Sequence, residues 1–297
     1  MEFLSGEVLI LISIVLNVVL ITIFKLYKKY KIDTLSAIVV NYITCYLTAW
    51  AVTGRFPYDH EIISRPWFLF AICLGALFVI IFNLTAITTQ KLGIAKTVVY
   101  QKMSMIAPVI LGIIIFNEYL DLWKISGIVC SIIAILFLSG IRFSADSSVQ
   151  KLKGTAELYG VFTFLGSCII DGMLFVLEEM NIVNNADIQF VAHLFLFAGF
   201  FGILFIALRY YLKRKIKFRI KEIIGGIALG IPNFFTIYLI LKILDMGWDG
   251  SAFFPINNVG ILALAAVVGI FFFREKLTNK NKLGLAFAII SIYLLAT

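Results

Sequence analysis

The chain has 297 residues, of which 62% are hydrophobic and only 14% charged, with a formal net charge of +8 and a mean hydropathy of +1.03. A water-soluble domain carries about 45–50% apolar and about 25% charged residues, so a soluble globule, a disulfide scaffold, a nucleic-acid module and a disordered regulator are excluded. At about 20 residues per membrane-spanning helix, ten spans use roughly 200 residues, and the remainder suffices for loops and tails only.

Ten apolar segments follow in chain order, and their length and unbroken apolarity make them helices rather than barrel strands. The first, 6–24, carries Asn17, and the second, 34–53, carries Cys45. The first is not read as a signal peptide, because it lacks a basic leader and a small-residue cleavage site. The third, 67–89, holds Gly75 and Asn83; the fourth, 97–117, holds Tyr100, Lys102 and Pro108; the fifth, 124–141, opens on Gly127. Residues 142–154 are predicted to be a cytoplasmic linker between a first five-helix repeat, 1–141, and a second, 155–297. The second repeat holds segments 155–177 with Asp171, 187–208 with His193, 223–244 with Pro232, Asn233 and Tyr238, 251–273 with Pro255, Asn257 and Asn258, and 281–297 with Gly284. The four cysteines all fall in apolar runs and are read as small packing residues.

Charge sets the expected orientation. Counting alternate loops, 20 Lys and Arg fall on the side away from the N-terminus and 3 on the N-terminal side, while 11 of the acidic residues lie on the N-terminal side. The positive-inside rule then predicts a multi-pass protein of the cell (inner) membrane with both termini outside. The basic run at 213–221 is a cytoplasmic loop on this reading, near anionic lipid, and not a nucleic-acid site.

The chain also repeats itself. At an offset of 157, Gly112, Phe116, Glu118, Leu120 and Gly127 match Gly269, Phe273, Glu275, Leu277 and Gly284, with 10 identities in the 27 positions from 112 to 138. At an offset of 154, Ser13, Asp33 and Gly93 match Ser167, Asp187 and Gly247, and Asn17 falls on Asp171. Five spans per half send the second half in from the opposite face, which is an inverted-topology repeat of the kind secondary transporters build around a midplane site.

Two segments carry a family resemblance. Residues 107–140, APVILGIIIFNEYLDLWKISGIVCSIIAILFLSG, and 255–296, from PINNVG to SIYLLA, each show a proline, an apolar helix, a turn glutamate and a glycine-bearing final helix. The pattern rests on Pro108, Glu118 and Gly127, and on Pro255, Glu275 and Gly284, and resembles the EamA domain. Two such units in one chain resemble the drug/metabolite transporter superfamily. The resemblance implies an all-α integral membrane fold of ten transmembrane helices as two inverted five-helix repeats. The two prolines stand 10 and 20 residues before their glutamates, so Pro255 departs from the spacing of Pro108.

The candidate residues divide into packing and polar groups. Glu118 and Glu275, at span ends, are expected to complement the dipole of the incoming helix. Gly127 with Ser131, and Gly284 with Ala288, form small-xxx-small steps for close helix contact. Pro108, Pro232 and Pro255 are expected hinges, with the eighth span interrupted at Gly230-Ile231-Pro232-Asn233. The predicted polar lining is Asn17, Asn83, Tyr100, Lys102, Asp171, Asn233, Tyr238, Asn257 and Asn258. Ser167, Asp171, Leu174 and Glu178 share one helical face. Asp171 is expected to bind a substrate amine or carry a coupling proton, unless it is a hydrogen-bonded structural residue. Lys102 either faces the site or snorkels to the cytoplasm, Lys242 is expected to snorkel, and His193 to be satisfied within the bundle.

No enzyme motif is present: no HExxH, no Walker or dinucleotide glycine loop. The expected function is secondary transport, with export preferred, of a small polar or amphipathic metabolite by alternating access. The expected partners are that small-molecule substrate, the lipid bilayer and coupling protons; no cofactor, metal, catalytic residue or nucleic acid is called for. Two alternatives stay open at this level. An integral membrane enzyme acting on a lipid-linked substrate would gather catalytic groups at one membrane face. A lipid-carrier flippase of the same fold would open a cavity sideways to the bilayer.

Overall fold

A computed structural model describes residues 5–54, 62–116, 122–139, 150–183, 188–212, 218–246 and 250–295. Every regular element among them is helical: α1 Gly6–Tyr30, α2 Thr34–Thr53, α3 Phe68–Leu92, α4 Ile94–Lys102, α5 Ile106–Ile115, α6 Leu122–Ser139, α7 Gln150–Glu179, α8 Ile188–Tyr211, α9 Ile220–Asp245, α10 Gly250–Phe271 and α11 Asn279–Leu295, with short 3₁₀ turns at Ile62–Ser64 and Met103–Met105. Seven stretches among the described residues are long and apolar enough to cross a membrane, one of them running through α4 and α5 as Ile94–Ile115. Leu122–Ala134 and Ile256–Phe271 are apolar but shorter. This composition is compatible with a membrane protein.

The chain forms two compact units, each drawn from both halves of the sequence: Met1–Asn83 with Leu177–Gly247, and Leu84–Val176 with Trp248–Thr297. In the first unit α2 packs against both α8 and α9. Glycines let these backbones approach. A Cβ on Gly226 of α9 would lie 2.7 Å from the Ala37 carbonyl oxygen, and one on Gly230 would lie 2.7 Å from that of Asn41. On α8, a Cβ on Gly202 would lie 2.7 Å from Val39 Cγ2. An aromatic cluster fills the same core: Phe82 meets Phe24 edge-on at 5.0 Å and Tyr42 at 5.7 Å, and Tyr42 lies 6.1 Å from Phe195. The first helix is pinned to α9 by Tyr27, whose hydroxyl donates to the Gly225 carbonyl at 2.8 Å.

One end of this unit is held by charge. Asp33 is the N-cap of α2, accepting from Ser36 N–H, and its carboxylate also takes two-pronged hydrogen bonds from Arg209 at 3.1–3.3 Å. The Asp33 N–H donates in turn to Glu222, whose other oxygen accepts from Arg219 N–H at 2.9 Å. Lys221 reaches the Tyr30 and Lys31 carbonyls at the end of α1. The orphan groups of three helix ends are thereby satisfied by neighbouring side chains.

In the second unit the main pairings are α6 with α11 and α4 with α10. Ser291 of α11 donates to the Gly127 carbonyl at 2.8 Å and meets the Ser131 hydroxyl. Ser131, Ala134, Ala288 and Ser291 are all fully buried, so the predicted small-residue steps lie in a close helix contact. Thr88 and Thr163 share a hydrogen bond at 2.9 Å between α3 and α7.

Several boundaries differ from expectation for local reasons. The eighth span is not interrupted: α9 runs unbroken with Pro232 inside it. A proline removes one helical hydrogen bond, here to Ala228, and flanking helix in tight contact can carry that loss. Pro255 lies within α10, six residues in, and nothing further is described of its side chain. Residues 142–149 of the predicted linker lie outside the described residues, and 150–154 already belong to α7. The expected loop between the third and fourth spans shrinks to Gly93, whose φ of +99° is one that only glycine adopts readily.

Candidate functional site

The Ile94–Ile115 stretch is where an apolar span departs from regular helix. The α4 helix stops at Lys102, a 3₁₀ turn occupies Met103–Met105, and α5 resumes at Ile106. Pro108 accounts for the position. It has no N–H for the Ser104 carbonyl four residues back, and its ring would crowd that carbonyl. A tighter i→i+3 turn absorbs the mismatch, with Ile106 N–H donating to Met103.

The break gathers polar groups. Lys102 ends α4, and the Ser104 hydroxyl lies against Asp171 Oδ2 of α7 and the Gln101 carbonyl. No ion pair between Lys102 and Asp171 closes among the described residues. Both side chains are half-buried. From α10, Asn258 donates its Nδ2 to Met105 Sδ at 2.8 Å, and the adjoining Asn257, 2% exposed, has an Oδ1 with no hydrogen-bond partner among the described residues. Each charge near the centre of a span costs about 2.5–3.5 kcal/mol on insertion scales, and an unpartnered buried polar atom about 1–3 kcal/mol. Intramembrane charges of this sort mark functional positions by default.

Tyr100, one turn before the break, is fully buried. Its hydroxyl donates to Glu157 Oε2 at 3.3 Å, and Glu157 also pairs with Lys96 at 3.1 Å. The ring fills the space over Gly160, where a Cβ would meet Tyr100 Cζ at 2.7 Å. Lys91 sits 4.8 Å above the Tyr159 ring on the same helix as Glu157. Tyr100 is therefore held in a closed contact between α4 and α7.

The first unit holds the other predicted lining residues. Asn233 is 5% exposed, and its Nδ2 lies 3.2 Å from Asn41 Oδ1 and 3.5 Å from Cys45 Sγ. Cys45 donates to the Gly230 carbonyl at 3.3 Å, while Asn41 Nδ2 has no hydrogen-bond partner among the described residues. Tyr238 stacks on Phe234 at 5.7 Å. Asn17 and Asn83 each donate to a carbonyl four residues back on their own helix, Ser13 and Val79. His193 contacts the Gln189 carbonyl at 2.7 Å and lies over Trp67, a satisfied residue as expected.

Among the turn residues, Glu275 was expected to complement the helix that follows it, but it lies outside the first turn of α11 and serves another helix. Its carboxylate accepts from Ile94 N–H at 2.8 and 3.1 Å, which caps the distant α4. A Cβ on Gly93 would lie 2.6 Å from that carboxylate, so glycine is required there by contact as well as by φ. Glu118 lies outside the described residues. Sequence reasoning missed Ser104, Glu157 and Lys96 in the second unit, and Asp33, Arg209 and Glu222 in the first. Ser104 was accessible as the residue whose carbonyl Pro108 orphans; the remaining pairings join distant parts of the chain and leave no local signal.

No protein-family model matches the chain. It is 28% identical over 295 residues to an uncharacterized protein of Haemophilus influenzae, covering 96% of both chains. A solved crystal structure shares the fold with a TM-score of 0.61, at 13% sequence identity and over 98% of each chain.

Proposed function

We propose that this chain is a secondary transporter of the cell membrane, an exporter of a small polar or amphipathic metabolite that works by alternating access. On this proposal it has ten spans in two inverted five-helix repeats, with both termini outside, in the manner of the drug/metabolite transporters it resembles. The observation that carries the proposal is the broken span itself: a lysine and an aspartate meet a 3₁₀ interruption inside apolar helices. Discontinuous helices with intramembrane charges are how secondary transporters present a binding site. The offset repeat in the sequence supports the inverted architecture, and the 20-to-3 basic asymmetry supports the orientation.

The test uses purified full-length protein. A metabolite panel is screened by thermal shift, because a ligand of the folded state raises the unfolding midpoint by mass action. Hits are then loaded into sealed proteoliposomes and followed by counterflow. Exchange across the bilayer that Lys102→Gln or Asp171→Asn abolishes, with the fold retained, is the expected result. A hit that binds and is chemically converted, but never crosses, would overturn the proposal in favour of an enzyme.

A further inference from the structure

At the charged end of the first unit the acidic groups are already committed. Asp33 is taken by Arg209 and Ser36. Glu222, fully buried, is taken by the backbone N–H groups of Asp33 and Arg219. Lys221 is committed as well, to the Tyr30 and Lys31 carbonyls at 3.0 and 2.6 Å. That contact sets the start of α9 beside the end of α1. Three other basic side chains at this junction, Lys29, Lys31 and Arg219, are exposed and have no acidic partner among the described residues. The junction is therefore a patch of uncompensated positive charge.

Its depth is marked independently. Tyr30 is exposed and carries Lys29 over its ring at 5.7 Å. Exposed tyrosine among basic residues is the composition of a membrane–water boundary. An apolar stripe begins directly after Arg219. Ile220, Ile223, Ile224, Ile227 and Ile231 are 36–76% exposed and recur every three or four residues, so they share one face of α9. At 1.5 Å per residue the stripe is about 17 Å long, close to half of the roughly 30 Å hydrocarbon core. It matches one leaflet, with Arg219 at the headgroup end.

A ligand for this surface needs an anionic head and a hydrocarbon body of one-leaflet length. A free phosphate uses the patch and leaves the stripe. A zwitterionic lipid uses the stripe and brings its own cation to the patch. An acidic protein meets the basic side chains but cannot follow the isoleucines to hydrocarbon depth. An anionic phospholipid matches both.

We infer that the α1–α9 junction is a binding site for an anionic phospholipid, its phosphate among Lys29, Lys31 and Arg219 and an acyl chain along the α9 isoleucines. The basic run at 213–221 suggests nearby anionic lipid by charge alone; the geometry assigns the contact to three side chains and one helix face. The inference requires that the chain lie in a membrane, and it does not depend on what the chain transports.

The test uses purified full-length protein, stripped of lipid in detergent and titrated with dioleoylphosphatidylglycerol or dioleoylphosphatidylcholine. Bound lipid is counted by native mass spectrometry, and stabilisation is read by thermal shift, since a ligand of the folded state raises the midpoint. Phosphatidylglycerol should bind more tightly than phosphatidylcholine. Each basic side chain removed should weaken it about fivefold, and the triple variant K29Q/K31Q/R219Q roughly a hundredfold, with phosphatidylcholine unaffected. A control triple, K276Q/K280Q/K282Q, removes exposed charge elsewhere and should keep the preference. Ile224→Ser with Ile227→Ser should weaken both lipids, because the chain contact is common to them. Equal binding of the two lipids by the wild type overturns the inference, as does a preference lost in the control triple and kept in the site triple. Stabilisation by glycerol 1-phosphate equal to that by phosphatidylglycerol also overturns it, since a soluble anion would then suffice. Arg219→Gln alone keeps the backbone N–H bond to Glu222; should the triple variant fail to fold, an unchanged preference in this single variant counts against the site.

Discussion

Replacing Gly226 or Gly230 by alanine should destabilise the first unit, whereas the same change at Gly199 should not. All three glycines face α2, so they form one experiment with an internal control. A Cβ on Gly226 would meet Val40 Cγ1 at 2.6 Å and the Ala37 carbonyl oxygen at 2.7 Å; one on Gly230 would meet Thr44 Cβ at 2.6 Å and the Asn41 carbonyl oxygen at 2.7 Å. The carbonyls belong to the α2 backbone and cannot rotate aside. Restoring ordinary contact near 3.5 Å requires α2 and α9 to part by roughly 0.8 Å, an overpacking strain of about 1–3 kcal/mol. At Gly199 the nearest atoms, Ile43 Cγ1 and Tyr42 Cβ, are 3.8 Å away. Alanine fits there and favours the helix by about 0.5–1 kcal/mol in water. Thermal unfolding in detergent should therefore drop for G226A and G230A, by roughly 2–4 °C per kcal/mol, and hold or rise for G199A. Cys45 provides a local readout, since its thiol is buried and lies 3.3 Å from the Gly230 carbonyl. Maleimide labelling mapped by mass spectrometry should reach Cys45 in G230A before it does in wild type. If G226A and G230A matched G199A in stability, the close-packing argument for α2 and α9 would be refuted.

Other expectations follow from the same contacts. Glu275→Ala should cost about 1.5–3 kcal/mol, the worth of a charged hydrogen bond, while Glu275→Gln keeps an acceptor for Ile94 N–H and loses only the charge–dipole part, about 0.3–1 kcal/mol; equal losses on thermal melts would deny the capping role. Gly127→Leu and Gly284→Leu should lower yield or melting temperature because Ser291 reaches the Gly127 carbonyl, and normal stability with lost ligand binding would move these residues to the site. Tyr100→Phe should cost about 1 kcal/mol through its bond to Glu157, read as a lower midpoint that vanishes in a Glu157→Ala background, which has no acceptor left. Single cysteines at Ile63 and Tyr211, 78% and 83% exposed, test orientation in an otherwise cysteine-free protein; an impermeant thiol reagent on intact cells should label 63 and spare 211, and the reverse pattern would invert the topology.

The helical class was legible because apolar runs of about 20 residues need no tertiary knowledge to read. The small residues of the α6–α11 contact, Ser131 and Ala288 among them, were legible too, since small-residue spacing is a local property of one helix. Pro232 shows the limit. A proline in a sequence marks a missing hydrogen bond, but whether the helix breaks depends on its neighbours. In α9 the glycines lock the helix to α2 and it stays whole; before Pro108 the span yields into a 3₁₀ turn. Polarity is equally open to two readings. Asn17 and Asn83 look like cavity residues in sequence, yet an amide on a helix can bond its own backbone. Glu275 was expected to serve the helix that follows it, but it caps α4, 181 positions away in the chain, and no periodicity could supply that.

The three-residue turn at Met103–Met105 also changes the phase of the span that contains it. An α-helix advances about 100° per residue and a 3₁₀ helix about 120°. Three residues thus add roughly 60° of rotation and about 1.5 Å of length compared with uninterrupted helix. A helical wheel drawn through Ile94–Ile115 is therefore out of register by a sixth of a turn beyond Met105, and residues of α5 that such a wheel aligns with Tyr100 point elsewhere. Deleting one residue within the turn would swing all of α5 by about 120° relative to α4 and carry Pro108 with it, whereas deleting one from within α4 would swing Lys102, the turn and α5 together by about 100° relative to the start of the span. The two halves of this span behave as two screws of equal pitch joined out of phase, and a substitution pattern on one half does not predict the pattern on the other.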